Sequence, residues 1–103
     1  MQRSGVRIPL SPPRTHVYQM HYVYIYILKS DQTGRHYSGS SSDVQIKLHQ
    51  HNAGKTLSTK SYIPWRLIHT EGHNTRQEAR QRERQIKSWK NPAYMLKALG
   101  LND

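Results

Sequence analysis

The sequence contains no cysteine and no phenylalanine, and only six of its 103 residues are acidic. Without cysteine there is no disulfide scaffold, no structural zinc site of the cysteine-bearing kind and no catalytic thiol; a thiol-free chain of this kind points to the cytoplasm. Long apolar runs are missing too. The longest, Tyr22 to Leu28, covers seven residues, against the roughly 20 that a helix needs to cross a bilayer. Met1 to Met20 holds no apolar stretch of the kind a signal peptide carries. The sequence therefore predicts a domain without a membrane span or an export signal. Its length supplies one compact core and not two.

Against the six acidic residues stand sixteen Lys and Arg, a formal net charge of +10 and a pI near 10.2. A surface this basic attracts nucleic acid, because each phosphate neutralised releases condensed counterions. A plain basic surface, and an acidic membrane or protein partner, are the other readings of charge alone. Arg3, Arg7 and Arg14 lie in the first 19 residues, which hold three prolines and no helix or strand period and end beside a second methionine, Met20. The run Gly5 to Pro9 can be encoded by a stretch resembling the T-arm of a transfer-RNA gene. Residues 1–19 are expected to be a disordered leader from a misassigned start, and 20–103 the domain. A basic arm laid on nucleic acid is the alternative for that leader.

Within the domain, Tyr22, Tyr24 and Tyr26 alternate with Val23, Ile25 and Ile27, which predicts a strand with phenols on one face and β-branched chains on the other, one face being core. Asp31 to Gly34 reads as a turn, and Arg35 to Gly39 as the returning strand of a hairpin. Ser42-Asp43-Val44-Gln45 reads as a capping box, opening a helix whose inner face is Val44, Leu48 and His51 and which ends near Asn52 and Gly54. Lys55 to Ser61 is a basic loop, and Pro64 to His69 a third strand. Thr75-Arg76-Gln77-Glu78 is a second capping box. Its helix is basic, with Ala79, Ile86 and Trp89 left to pack. Asn91-Pro92 starts a last helix in which Met95, Leu96 and Leu99 face inward.

Glu83, four residues after Ala79 and three before Ile86, falls in the apolar stripe of that basic helix. Two readings are open: an ion-paired structural carboxylate, or a metal ligand facing a cleft that phosphate enters. The tyrosine face of the first strand is either packing or a set of functional hydroxyls. Trp65 and Trp89 read as core, with stacking on bases as the alternative. Gly54-Lys55-Thr56 mimics the end of a phosphate-binding loop, but His49 stands where its first glycine is required.

Tyr24-Ile25-Tyr26, Tyr37-Ser38-Gly39, the helix end Lys47 to Asn52, the block Ser58-Thr59-Lys60, Pro64-Trp65-Arg66-Leu67 and the stretch Glu78 to Lys90 occur in an order that resembles the short stand-alone members of the GIY-YIG nuclease family. The resemblance runs from about Tyr22 to Leu99. It implies an α+β fold, a small three-stranded antiparallel sheet flanked by helices in the order β-β-α-β-α-α. It also implies an endonuclease-like domain that hydrolyses DNA phosphodiester bonds with one divalent metal ion, Mg²⁺ or Mn²⁺, in DNA repair or processing. Glu83 matches the metal-binding residue, Tyr26 and Tyr37 the motif tyrosines, and His51 the residue one helical turn after the catalytic cation. That cation is Arg in the family and Lys47 here, so the resemblance implies weakened catalysis: a guanidinium clamps two phosphate oxygens where an ammonium offers a point charge. Lys29, Lys55, Lys60, Arg80, Arg84 and Lys87 are the candidate nucleic-acid contacts, for branched, nicked or damaged DNA read by shape, with RNA also open. Two other readings are a catalytically inactive nucleic-acid-binding module on the same fold and a structural basic protein of a ribonucleoprotein particle.

Overall fold

The computed structural model describes residues 22–102; the expected leader at residues 1–19 lies outside them. The chain forms β1 (Val23–Ser30), β2 (His36–Ser41), α1 (Val44–Asn52), β3 (Trp65–His73), α2 (Arg76–Ser88) and α3 (Pro92–Ala98), with a single 3₁₀ turn at Lys60–Tyr62. The sheet order is β2-β1-β3 with both pairings antiparallel. This is the α+β arrangement expected from the sequence.

β1 is the centre of the fold, and here the expectation of one core face is corrected. All six residues from Val23 to Leu28 are at most 5% exposed, because helices cover both sides of the sheet. Tyr24, Tyr26 and Leu28 pack with Val44 of α1 and with Trp65. Val23, Ile25 and Ile27 pack with Ala79 and Ile86 of α2 and Met95 of α3. Each large side chain buried this way contributes about 1.5–3 kcal/mol. Beyond β1, the turn forms where the sequence placed it. The Ser30 hydroxyl accepts from the amides of Gln32 and Thr33, the Gly34 amide donates to the Ser30 carbonyl, and Gly34 takes a positive φ of 81°.

The cap of α1 is Asp43, not Ser42. Its carboxylate accepts from the Ile46 amide at 3.2 Å, while the Ser41 hydroxyl accepts from the Asp43 amide at 3.0 Å and sets the entry of the chain. At the other end Asn52 reaches across to β3: its side-chain oxygen accepts from the Trp65 amide at 2.6 Å and its NH₂ donates to the Trp65 carbonyl at 3.0 Å. One side-chain amide thus takes the place of a neighbouring strand at Trp65, whose outer edge pairs with no other strand among the described residues.

β3 runs past the expected end at His69 to His73, pairing Ile25 with Glu71 and Val23 with His73. A bulge between Ile27 and Leu28 inserts Ile68, which joins the aliphatic core. Thr75 caps α2 by accepting from the Glu78 amide at 3.1 Å. The Glu78 carboxylate returns one residue further, to the Asn74 amide at 3.3 Å. Asn91 caps α3 through the amides of Ala93 and Tyr94, and Trp89, Leu96 and Leu99 close the α2–α3 side of the core.

Candidate active site

Tyr26 lies opposite Gly39 in the β1–β2 register. A Cβ at position 39 would fall 2.7 Å from the Tyr26 hydroxyl oxygen and 2.9 Å from its ring carbon Cζ. The glycine of the Tyr37-Ser38-Gly39 motif is therefore what lets the phenol lie across β2. Tyr37, from the same motif, packs its ring 4.8 Å from that of His51, and Tyr26 hydrogen-bonds His51 at 3.0 Å between Oη and Nε2. The structure thus brings Tyr26, Tyr37 and His51 together from β1, β2 and α1.

The proton positions follow from Thr59, in the loop between α1 and β3. Its hydroxyl donates to the Thr56 carbonyl at 3.3 Å, so its lone pairs face His51 Nδ1, 2.9 Å away. With Thr59 donating to Thr56, the tautomer that completes the chain has Nδ1–H donating to Thr59 and Nε2 accepting the Tyr26 hydroxyl proton. Tyr26, His51 and Thr59 are each at most 2% exposed. Burial, and then the Lys47 charge one helical turn away, push the His51 pKa down, so the ring is neutral near pH 7. Burial, then the charges of Tyr37 and Glu83, push the Tyr26 pKa far up, so the phenol keeps its proton. Thr59 entered the sequence reading only within the block Ser58-Thr59-Lys60 of the family resemblance, with no role assigned to it. It stands in a polar loop without period, and only the fold brings it to His51.

Glu83 sits on α2 with its side chain 20% exposed, its Oε2 held by Lys87 Nζ at 2.8 Å. Both open readings of this residue meet here: it is ion-paired, and it is close enough to Tyr26 for its charge to raise the phenol's pKa. Arg80, Arg84 and Lys87 fall on one exposed stripe of α2. Lys55 and Lys60 are exposed on the segment that carries Thr59, and Lys29 is half-buried near the end of β1. These six cations lie on β1, the segment between α1 and β3, and α2.

A second polar cluster lies on the α2 side of the sheet. Glu71 of β3 takes a two-pronged hydrogen bond from Arg82, Nε to Oε1 and Nη2 to Oε2, both 2.9 Å. His69 and His73, its neighbours along the same strand face, approach the same carboxylate at 2.9 and 3.3 Å. Burial works to raise the Glu71 pKa, but the hydrogen bonds and charges of His69 and Arg82 outweigh it and hold the carboxyl well below the usual range. The period-two spacing of His69, Glu71 and His73 was the signal for this cluster.

Residues 22–97 match the GIY-YIG catalytic domain. The chain belongs to the GIY-YIG family. A UPF0213 protein of Halobacterium salinarum is 42% identical over 69 residues, 66% of this chain and 86% of its own. Another, from Streptococcus agalactiae serotype V, is 36% identical over 61 residues, 58% and 68% of the two chains. The solution NMR structure of a UPF0213 protein from Bacillus halodurans superposes with a TM-score of 0.50 at 26% identity, over 77% of this chain and 83% of that one.

GIY-YIG nucleases are generally metal-dependent, and the residues here fit one mode of holding a divalent ion. Among the described residues no group of three or more His, Asp or Glu could hold a metal. Mg²⁺ commonly keeps several waters and takes one or two carboxylates plus substrate phosphates, and the single half-buried Glu83 among cations suits that mode. Among the described residues no helix is long and apolar enough to cross a membrane.

Proposed function

We propose that this GIY-YIG domain is a metal-dependent endonuclease that hydrolyses DNA phosphodiester bonds, in repair or processing of branched, nicked or damaged strands. The observation that carries the reading is the buried chain Tyr26–His51–Thr59, which ends in a bare imidazole nitrogen behind a protonated phenol. In this scheme Tyr26 Oη accepts a proton from the attacking water as its own proton passes to His51 Nε2, and Thr59 stabilises the resulting imidazolium through Nδ1–H. The new bond joins water oxygen to phosphorus, and the bond to the leaving sugar oxygen breaks. Lys47 supplies positive charge near the phosphoryl oxygens, and Tyr37 hydrogen-bonds the phosphate. A divalent ion on Glu83 would supply charge stabilisation of the phosphate and leaving oxygen when bound.

Two features favour a second reading, a non-catalytic nucleic-acid-binding module: the ammonium of Lys47 in place of a guanidinium, and the Lys87–Glu83 ion pair. The deciding assay incubates the protein with single-stranded, nicked and branched DNA in Mg²⁺ or Mn²⁺. Glu83→Gln is expected to abolish cleavage, and Lys47→Arg to raise it by up to about a hundredfold, the usual value of one well-placed charged contact in the transition state. Binding by wild type and Lys47→Arg with no cleavage by either would decide for the module.

A further inference from the structure

A cleft of about 480 Å³ opens between the β1–β2 turn and the junction of α2 with α3, a size within the roughly 300–1,000 Å³ span of small-ligand sites. Ile86, Met95 and Trp89 give it apolar surface, Lys87 and Lys90 give it cations, and Arg35 lines it with its guanidinium turned to the Tyr62 ring, 4.7 Å from the centroid; among the described residues no carboxylate lines it. It adjoins the candidate active site through two shared residues, Tyr37, which packs on His51, and Lys87, which pairs with Glu83. The Trp89 ring is already held in place. The Arg82 guanidinium lies 5.5 Å from its centroid and Tyr94 meets it edge-on at 5.8 Å, while Arg82 itself is fixed by Glu71. A group that packs on this ring therefore needs little further ordering.

We propose that the cleft receives one unstacked nucleotide of the substrate strand, its base against Trp89 and its flanking phosphates on Lys87 and Lys90. This rests on the nuclease reading for the nature of the strand and deepens it, by assigning a preference for strands with an unpaired nucleotide. An apolar peptide would bring no negative charge to the lysines of this cleft, and a lone phosphate would leave its apolar surface uncovered; a nucleotide matches both. A base stacked and paired inside a duplex has no free face to offer the indole.

The test uses the Glu83→Gln protein in EDTA, so that binding is read without cleavage. It is titrated with a short oligothymidine strand and with the corresponding blunt duplex, following tryptophan fluorescence and amide NMR shifts. Trp65 is only 5% exposed, so quenching reports Trp89. The single strand is expected to bind more tightly than the duplex, quench Trp89 and shift the amides of Arg35, Ile86 and Met95. Trp89→Leu and Lys90→Glu should each weaken binding about tenfold, and the second should lower the salt slope by about 0.7 for each phosphate it no longer neutralises. Lys97→Glu, an equal charge change on the exposed side of α3, should cost about twofold or less. Equal binding of strand and duplex, shifts confined to the Tyr26–His51 face, or equal losses in Lys90→Glu and Lys97→Glu would overturn the proposal. Cleft binding by a wild type that never cuts DNA would count against the nuclease reading alone; cleavage without cleft binding would count against this proposal alone.

Discussion

Tyr24 and Tyr26 sit two residues apart on one face of β1, and their hydroxyls meet different surroundings. Tyr26 Oη is bonded to His51, whereas Tyr24 Oη is buried with no hydrogen-bond partner among the described residues. Tyr24→Phe removes only an unsatisfied hydroxyl and is expected to leave stability unchanged or raise it by up to about 1 kcal/mol, read from urea midpoints; a clear loss would mean that the hydroxyl has a partner. Thr59→Val deletes the acceptor that fixes the His51 tautomer. Nitrogen NMR should then show the Nε2–H form appearing beside the Nδ1–H form, and cleavage should fall about tenfold to a hundredfold, with Thr59→Ser restoring both. An unchanged tautomer in Thr59→Val would remove Thr59 from the chain. Tyr26, Tyr37, Lys47, His51 and Glu83 were legible in the sequence because each stands at a motif position or helix spacing. Thr59 was legible as part of the block Ser58-Thr59-Lys60 but its contact with His51 was not, since that depends on the loop between α1 and β3.

The elements were legible wherever a period or a cap marks them. α2 and α3 begin where Thr75 and Asn91 predict, and β1 where the tyrosines alternate. β3 was read short because its second half, His69 to His73, is polar; polarity there reflects an ionic cluster under α2 and not the end of a strand. The contact between α1 and β3 was hidden for another reason. Asn52 reads as an ordinary helix-ending residue, yet its side chain satisfies both the amide and the carbonyl of Trp65. Asn52→Ala is expected to destabilise the fold by about 1–3 kcal/mol, because it leaves two backbone groups unpaired. Asn52→Asp, which keeps the acceptor and loses the donor, should lie between that variant and wild type in denaturant midpoint. An Asn52→Ala protein as stable as wild type would show that water replaces the amide at no cost.

At the scale of the whole molecule, a chain of formal charge +10 has few carboxylates to hold it together, and Glu71 carries a large share of that task by joining β3 to α2. Its carboxyl is held below the usual range in the fold, while in the unfolded chain it titrates near 4.3. The stabilisation is therefore complete above about pH 5 and is lost progressively as the pH falls from there towards the lower folded value. Glu71→Gln should cost about 2 kcal/mol or more at pH 7 and should flatten the fall in stability between about pH 5 and pH 2. Parallel acid limbs for wild type and variant would assign the dependence to other groups, among which His69, His73 and Arg82 face this carboxylate. The candidate cations of α2 and of the loop before β3 were legible in the sequence, but the cleft was not, because charge counts carry no direction. The order of elements also splits the candidate site in two. Under the proposed function, the groups that would handle a proton lie between residues 26 and 59, on β1, β2 and α1 with its loop; the carboxylate that would hold the metal arrives afterwards, on α2. The two halves come from separate stretches of the chain and are coupled through the charge of Glu83 at Tyr26, so Glu83→Gln is expected to leave the Tyr26–His51 hydrogen bond assembled. Under the proposed function, a descendant stripped of Glu83 would keep that hydrogen-bonded chain and lose the carboxylate that would hold the metal.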